Sequence, residues 1–233
     1  VALLALGACC ALLTACAGSG GTNADQYPEP AMLLPPSEDA KANIAVAQNL
    51  ENNGNDREAI QHYERARNLQ PSKYQWVCRR LAVLYDRVGD TYRAEKEFQN
   101  AFRLTPNDTN LLNDMGFFYY QRERYKDAEE YLRRAIKVDP QNLRAWNNLG
   151  LTLAWSNQYE EAFNAFVNAV SPAEAHANLG VVLAQQGRFD EAEAELEQAM
   201  RQQPDLQRYQ SVLEYIRQER AEASGFAPDS DSP

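Results

Sequence analysis

The sequence has few of the residues on which most catalytic and metal-binding sites depend. Its 233 residues include only two histidines and four cysteines. It contains no Cys/His metal spacing, glycine-rich phosphate loop or nucleophile elbow. Basic residues are outnumbered, with 23 Lys and Arg against 33 Asp and Glu, for a formal net charge of −10. We therefore expect no catalytic activity, no metal or cofactor and no nucleic-acid partner, because nucleic-acid binding depends on neutralising phosphate charge.

Long apolar runs are also scarce, and the N-terminal one, VALLALGACCALLTA over residues 1–15, carries no charge. It is shorter than the roughly 20 residues that a membrane span requires, which favours a signal-peptide core. Leu13-Thr14-Ala15-Cys16 resembles the lipobox of bacterial lipoproteins, whose cysteine is acylated and becomes the new N-terminus. Leu6-Gly7-Ala8-Cys9 is a second, poorer match, because cleavage there would leave residues 11–15 as an apolar stub.

The lipobox resemblance implies a location for the protein. Residues 16–37, which begin at the predicted lipidation site Cys16, have the small and polar composition of a flexible tether. Ala17 stands where inner-membrane lipoproteins favour aspartate, so the resemblance implies a lipid-anchored protein of the bacterial cell envelope, on the outer membrane and facing the periplasm. Cys78 would then be the one remaining thiol, and we expect it to be buried and unreactive.

An internal pattern recurs five times along the chain. It consists of an alanine, an aromatic residue or leucine four positions later, and a second alanine three positions after that. The copies are Ala59/Tyr63/Ala66, Ala94/Phe98/Ala101, Ala128/Leu132/Ala135, Ala162/Phe166/Ala169 and Ala192/Leu196/Ala199. Their first alanines are 35, 34, 34 and 30 residues apart. Such spacing places the three residues on one face of a helix, and a fixed period of this length indicates a repeat architecture.

A second helix pattern precedes each copy. It pairs a large apolar residue with a small one, as in Leu81-Ala82, Met115-Gly116, Leu149-Gly150 and Leu179-Gly180. The two patterns together resemble the tetratricopeptide repeat, a pair of helices in about 34 residues. The resemblance implies an all-α fold, a right-handed α-solenoid of about five helix pairs plus a C-terminal capping helix.

The predicted organisation follows from this resemblance. We expect a signal peptide at 1–15, a lipidated tether at 16–37, the repeat array at 38–206, a capping helix at 207–222 and an acidic tail at 223–233. The repeats lie near 40–73, 75–108, 109–142, 143–172 and 173–206. Leu206, Tyr209, Val212, Leu213 and Ile216 form the stripe by which the capping helix should pack on the last repeat, as repeat arrays require for solubility.

Two local features depart from a regular repeat. Gly54, Gly89 and Gly187 lie at turns within repeats where a positive φ is favoured, but Glu123 and Asn157 replace them in repeats three and four. Repeat four also lacks four residues of the period. There the run Ser171-Pro172-Ala173-Glu174 has the pattern of a capping box with proline at the first helical position, so the preceding helix should end near Val170.

The resemblance also implies a binding surface, because certain positions of each first helix line a groove in this family. Carried over to this chain, those positions hold arginines for carboxylates, asparagines for a peptide backbone and aromatic residues as anchors. The residues are Arg79, Arg87, Asn113, Phe117, Tyr120, Arg144, Asn147, Asn148, Leu151, Trp155 and Asn178. Asp114 interrupts the asparagine ladder that some relatives use. Alternatively, the asparagines are generic features of the repeat and Trp155 only packs between repeats.

The leading functional hypothesis is therefore a non-enzymatic adaptor that holds a protein or peptide partner in this groove at the cell envelope. Residues 171–196, SPAEAHANLGVVLAQQGRFDEAEAEL, resemble lipoproteins of this build that assist type IV or Tad-type pilus assembly, so a role in pilus assembly or secretion is one interpretation. The alternative is a scaffold or regulator of cell-wall enzymes or of outer-membrane protein assembly. The sequence does not choose between these pathways.

Overall fold

A computed structural model describes residues 38–205 and 209–223. The predicted signal peptide, the lipidation site Cys16, the tether and the tail beyond residue 223 lie outside the described residues. All regular elements in the described ranges are α-helices, which confirms the all-α prediction. None of these helices is both long and apolar enough to cross a bilayer.

Eleven helices follow one another in the described residues, mostly joined by short turns. They are α1 Glu38–Asn52, α2 Asp56–Leu69, α3 Val77–Arg87, α4 Thr91–Leu104, α5 Thr109–Tyr120, α6 Tyr125–Val138, α7 Leu143–Trp155, α8 Tyr159–Ala169, α9 Pro172–Gln185, α10 Phe189–Gln202 and α11 Gln210–Ala223. The described residues divide into two compact units. The N-terminal unit holds α1 to α5 in residues 38–121, and the C-terminal unit holds α6 to α11 in residues 122–205 and 209–223.

The repeated alanine and aromatic residues form the interior of each helix pair. In α2, Ala59, Tyr63 and Ala66 are fully buried. The same positions are buried in the later second helices, except that Ala169 at the end of α8 is half-buried. In α7 and α9 the small residue, Gly150 or Gly180, lets the second helix of the pair approach closely. A Cβ atom at Gly150 in α7 would lie 2.5 Å from Cδ1 of Phe166 in α8.

The turns within repeats adopt a left-handed backbone whether or not glycine is present. Gly54, Gly89 and Gly187 have φ values of 75°, 84° and 76°. Glu123 and Asn157 occupy the same conformation with φ values of 57° and 62°. The two substitutions therefore leave the turn geometry unchanged, at the cost of a conformation that side chains with a Cβ atom disfavour.

Repeat four ends early, as its sequence predicts. Helix α8 ends at Ala169, and Val170 is extended with φ −142° and ψ 177°. Helix α9 begins at Pro172, where Ser171 and Glu174 form a complete capping box. The Ser171 Oγ accepts the backbone N–H of Glu174 at 3.3 Å, and the Ser171 backbone N–H donates to Glu174 Oε2 at 3.3 Å. Two helices of the C-terminal unit thus meet with almost no connecting segment.

Candidate functional site

The predicted groove face of the N-terminal unit lies on α3 and α5, and ion pairs occupy its charged residues. Arg79 Nε donates to Asp114 Oδ2 at 2.8 Å. Both side chains are mostly buried, with exposed fractions of 12% and 14%. Arg79 was predicted to bind a carboxylate of a partner, but a carboxylate of the neighbouring repeat already holds it. The position that breaks the asparagine ladder, Asp114, is therefore the partner of an arginine in the same protein.

The other two arginines of α3 also pair with carboxylates of the same unit. Arg80 lies 3.3 Å from Glu51 of α1, and the predicted groove residue Arg87 lies 3.4 Å from Asp56 of α2. Helix α3 thus pairs with carboxylates on three different helices of its unit. The Arg87 side chain remains half exposed, so its ion pair contributes little to stability and is screened by salt.

The remaining predicted residues of this face differ in accessibility. Asn113 is buried, with 2% of its surface exposed. Phe117 and Tyr120 are half-buried, and their rings stack with centroids 6.0 Å apart. Their partial exposure leaves this aromatic pair, together with the half-exposed Arg87, within reach of a partner, while the amide of Asn113 lies inside the unit.

The corresponding face of the C-terminal unit lies on α7 and α9 and is formed largely by amides. Asn178 Nδ2 of α9 donates to Asn147 Oδ1 of α7 at 3.4 Å, so the two carboxamides lie side by side. Asn148 and Asn178 are buried to 9% and 8% exposure, and Leu151 to 5%. Only a small part of each of these three side chains reaches the surface. The accessible part of the face is therefore narrower than the sequence indicated.

Two predicted residues at the ends of α7 are more accessible. Arg144 in the first turn is exposed, and Trp155 at the last position is half-buried. Beyond Trp155, Gln186 Nε2 donates to the carbonyl of Ala154 at 3.1 Å, and its Oε1 accepts from the hydroxyl of Tyr159 at 2.9 Å. These contacts join the residue that follows α9 to the end of α7 and the start of α8, next to Trp155.

Charge is distributed unevenly between the helices of the C-terminal unit. Helices α7 and α9 carry one charged residue each, Arg144 and Glu174, and both lie in a first turn. Glu174 is occupied by the capping box. In contrast, α10 carries Asp190, Glu191, Glu193, Glu195 and Glu197. The first-helix face is therefore almost uncharged in a protein whose net charge is −10.

Sequence reasoning missed a buried ionic cluster in the N-terminal unit. Arg67 Nη1 of α2 lies 2.8 Å from both carboxylate oxygens of Glu97 in α4, and 3.8 Å from Cys78 Sγ in α3. Glu97 is 7% exposed. Glu97 directly precedes the core residue Phe98, and from the sequence alone a charged residue at this position is expected to face solvent. The side-chain conformation that buries Glu97 is set by tertiary packing, which the sequence pattern does not show.

The cluster explains the state of the lone described thiol. Burial, followed by the nearby negative charge of Glu97, raises the pKa of Cys78 to about 11. Burial lowers the pKa of Arg67, but its hydrogen bond and charge interaction with Glu97 outweigh this, and the net pKa is raised. Cys78 is buried, as predicted. A thiol with a raised pKa is a poor nucleophile, because the thiolate is the reactive form.

Both histidines have structural partners. His62 Nδ1 lies 2.8 Å from Asn43 Oδ1, which joins α2 to α1. His176 Nδ1 lies 2.6 Å from Glu195 Oε2, and its ring is 4.5 Å from that of Phe163. Among the described residues, no group of three His, Cys, Asp or Glu side chains could hold a metal ion.

Comparison with known proteins places the repeats in a family. Residues 119–173 and 173–206 match two models of the tetratricopeptide repeat. The peroxisomal targeting signal receptor of Candida albicans is 31% identical over 115 residues, which cover 46% of this chain and 19% of that receptor. A TPR repeat-containing protein of Pseudomonas aeruginosa is 28% identical over 156 residues, which cover 64% of this chain and 26% of the relative. The chain thus spans about a quarter or less of the length of these relatives.

Solved structures agree with this assignment. YrrB, described as a TPR protein with an unusual peptide-binding site, aligns with a TM-score of 0.55 at 25% identity, over 72% of this chain and 88% of YrrB. A tetratricopeptide repeat protein from Parabacteroides merdae aligns with a TM-score of 0.65 at 16% identity, over 82% and 78% of the two chains. MamA from Desulfovibrio magneticus aligns at 0.62 and 20% identity, over 72% and 96%. The chain therefore contains tetratricopeptide repeats over residues 119–206, and its fold is that of tetratricopeptide repeat proteins of known structure.

Proposed function

We propose that this protein is a non-enzymatic adaptor that binds an extended segment of a protein partner along α7 and α9. The observation that carries the proposal is the pair of side-by-side carboxamides of Asn147 and Asn178, 3.4 Å apart on neighbouring first helices. A carboxamide can both donate to and accept from a peptide backbone. Asn147 is half-buried and offers its carboxamide to an extended chain, and the hydrogen bond from the largely buried Asn178 orients it.

The neighbouring side chains define the chemistry of the partner. Trp155 is half-buried at the end of α7 and offers the aromatic contact area typical of binding hot spots. The face between it and the asparagines holds no charged side chain. We therefore propose that the bound segment is itself uncharged and contributes an apolar side chain next to Trp155. The similarity to YrrB, whose description names a peptide-binding site, supports a peptide ligand.

We further propose that the adaptor works at the bacterial cell envelope as an outer-membrane lipoprotein anchored through Cys16. This part rests on the sequence alone, namely the apolar run at residues 1–15 and the lipobox-like Leu13-Thr14-Ala15-Cys16. Pilus assembly or secretion is the proposed pathway. Fractionation of cells tests the anchor: the chain should partition with outer membranes, and Cys16→Ser should release it. A wild-type chain found in the soluble fraction would refute the anchor.

The binding proposal is tested with partners captured from crosslinked envelopes. Asn147→Asp places a negative charge on the proposed face and should weaken capture and peptide binding at least 10-fold. Asn168→Asp is the matched control, because Asn168 is exposed on α8, where its Nδ2 donates to the carbonyl of Asn164. Trp155→Ala should weaken binding with a small loss of stability.

The outcomes separate the alternatives. Equal binding by the Asn147 and Asn168 variants, both folded, would refute the amide face. Binding that falls steeply between about 0.05 and 0.5 M NaCl would refute the uncharged ligand, because salt screens exposed charges at these concentrations. Capture of secretin or pilus proteins supports the proposed pathway, whereas capture of cell-wall hydrolases or barrel-assembly proteins replaces it with the alternative scaffold.

A further inference from the structure

Helix α11 lies on the last repeat and shows what that surface can bind. It contacts α9 and α10. Tyr209, directly before the helix, and Val212, Leu213 and Ile216 within it are buried, with exposed fractions of 6%, 2%, 4% and 0%. Their spacing of i, i+3, i+4 and i+7 defines one apolar stripe. The surface of α9 and α10 that this stripe covers is called the α11 seat below.

An acidic row borders the α11 seat. Asp190, Glu193 and Glu197 lie one above another on α10, and two arginines of α11 bind them. Arg217 lies 2.8 Å from Glu193 and 3.3 Å from Glu197. Arg220 lies 2.8 Å from Asp190 and also pairs with Glu193. Helix α11 is therefore held by two features together, an apolar stripe and a pair of cations three residues apart.

The contacts that hold α11 on its seat are of a kind that allows the helix to detach readily. Arg217 and Arg220 are 57% and 46% exposed, and Asp190 is 83% exposed. Exposed ion pairs contribute little and are screened by salt, and among the described helices α11 packs mainly on α9 and α10. An element with few packing neighbours opens locally at a smaller free-energy cost than the interior of a domain. When α11 leaves, the seat presents an apolar surface beside three carboxylates.

We propose that α11 is an exchangeable occupant of its seat, and that the seat binds an amphipathic helix of a partner protein with the same pattern. That pattern is four apolar residues at i, i+3, i+4 and i+7 and two cationic side chains three residues apart. Helix α11 itself has this pattern, which shows that the seat accommodates such a helix, and the acidic row favours a helix that carries cationic side chains. This proposal is independent of the peptide face on α7 and α9.

The test uses the full chain and a fluorescently labelled synthetic peptide of residues 209–223, YQSVLEYIRQERAEA. In the chain variant Arg217→Glu/Arg220→Glu, the resident helix is weakened and competes less for its seat. That variant should bind the peptide at least 10-fold more tightly than the wild-type chain, and the binding should weaken several-fold at 0.5 M NaCl, because salt screens the charge pairs. A peptide carrying the same two substitutions should bind at least 10-fold more weakly.

The control variant is Arg133→Glu in the same unit. Arg133 is an exposed arginine of α6 that pairs with Glu129 and Glu161 and has no ion pair with α11. It should bind the peptide as the wild-type chain does. If the double variant does not fold by circular dichroism, Leu213→Ala weakens the resident helix through its apolar stripe and should also increase peptide binding.

Three results would overturn the proposal. The first is equal binding of the wild-type and charge-reversed peptides, which would mean non-specific apolar adsorption. The second is a loosened α11, detected as fast amide exchange, together with no peptide binding, which would mean that the seat accepts only its covalently attached helix. The third is concentration-dependent dimerisation through exchange of α11 between chains, which would identify a second copy of this chain as the partner.

Discussion

The contact between Gly150 and Phe166 makes a sharp prediction for the packing of a helix pair. A Cβ atom added at Gly150 would lie 2.5, 2.6 and 2.8 Å from Cδ1, Cε1 and Cγ of the Phe166 ring. These distances are shorter than any real Cβ contact, so the ring must move. Phe166 has no exposed surface, and a closely packed interior gives the ring little room to do so.

Two opposing effects decide the result of Gly150→Ala. Helix propensity favours alanine over glycine by about 1 kcal/mol in a helix interior. Overpacking of a filled core costs about 1–3 kcal/mol. Because the overlap involves three atoms of a rigid ring, we expect overpacking to win and the free energy of unfolding to fall by up to about 2 kcal/mol. Gly150→Leu adds three more carbon atoms and should cost about 3 kcal/mol or more.

The assay is urea unfolding followed by helical circular dichroism, combined in a double-mutant cycle with Phe166→Leu. A smaller, flexible side chain at position 166 should accept the added methyl group. Gly150→Ala should then cost at least about 1 kcal/mol less in the Phe166→Leu background than in the wild-type chain. If Gly150→Ala instead stabilises the protein by about 1 kcal/mol, helix propensity alone governs the site, and the inference of a closely packed ring is refuted.

The other predictions concern the ionic cluster, the thiol and a strained turn. Arg67→Met leaves Glu97 buried without its cation and should lower the free energy of unfolding by about 3–5 kcal/mol, whereas Arg67→Met/Glu97→Gln should cost clearly less in the same urea assay. Because burial raises the pKa of Cys78 to about 11, iodoacetamide at pH 8 should leave Cys78 unmodified in the native chain and modify it in urea, as read by mass spectrometry of its tryptic peptide. The raised pKa also means that the thiol favours the native state below pH 9 and that this contribution is lost as pH rises through about 11, so stability should fall in that window. Glu123→Gly relieves a positive φ of 57° and should raise the thermal midpoint, while Gly54→Ala introduces strain at a φ of 75° and should lower it.

The helix pairs were predictable because the same sequence pattern recurs several times along the chain. One alanine and aromatic pattern would fit many helices, but five copies at nearly equal spacing identify the buried face of each second helix. The break in repeat four was predictable for a different reason. The capping box at Ser171 and the proline at its first helical position are local signals, and they act before any tertiary packing.

The ionic contacts were not predictable in the same way. Periodicity places Arg79 and Asp114 on the same face of successive first helices, but it does not say whether their side chains meet each other or a partner. They meet at 2.8 Å, so Arg79 would have to share its guanidinium between Asp114 and a carboxylate of a partner. Arg67 and Glu97 are a stronger example, because both lie on second helices whose charged residues are usually solvated. Burial of such a pair depends on rotamers that only the packed structure fixes.

The accessible part of the candidate site changes for the same reason. Asn113, Asn148, Leu151 and Asn178 occupy first-helix positions that the repeat assigns to the groove, yet the structure leaves at most 9% of each exposed. Repeat position sets the direction of a side chain from its helix, whereas exposure depends on how closely the neighbouring helix approaches. Whether these residues contact a partner stays a prediction that the Asn147→Asp and Trp155→Ala variants test.

The division of charge within the C-terminal unit separates two kinds of recognition. The α7–α9 face carries amides and an aromatic residue, so binding there should depend on hydrogen bonds and apolar contact and be insensitive to salt. The α11 seat is bordered by Asp190, Glu193 and Glu197, so binding there should weaken as salt rises. Salt dependence therefore assigns a captured partner to one surface or the other without a structure of the complex. One partner whose binding combines a salt-insensitive and a salt-sensitive component would be using both surfaces of the same unit.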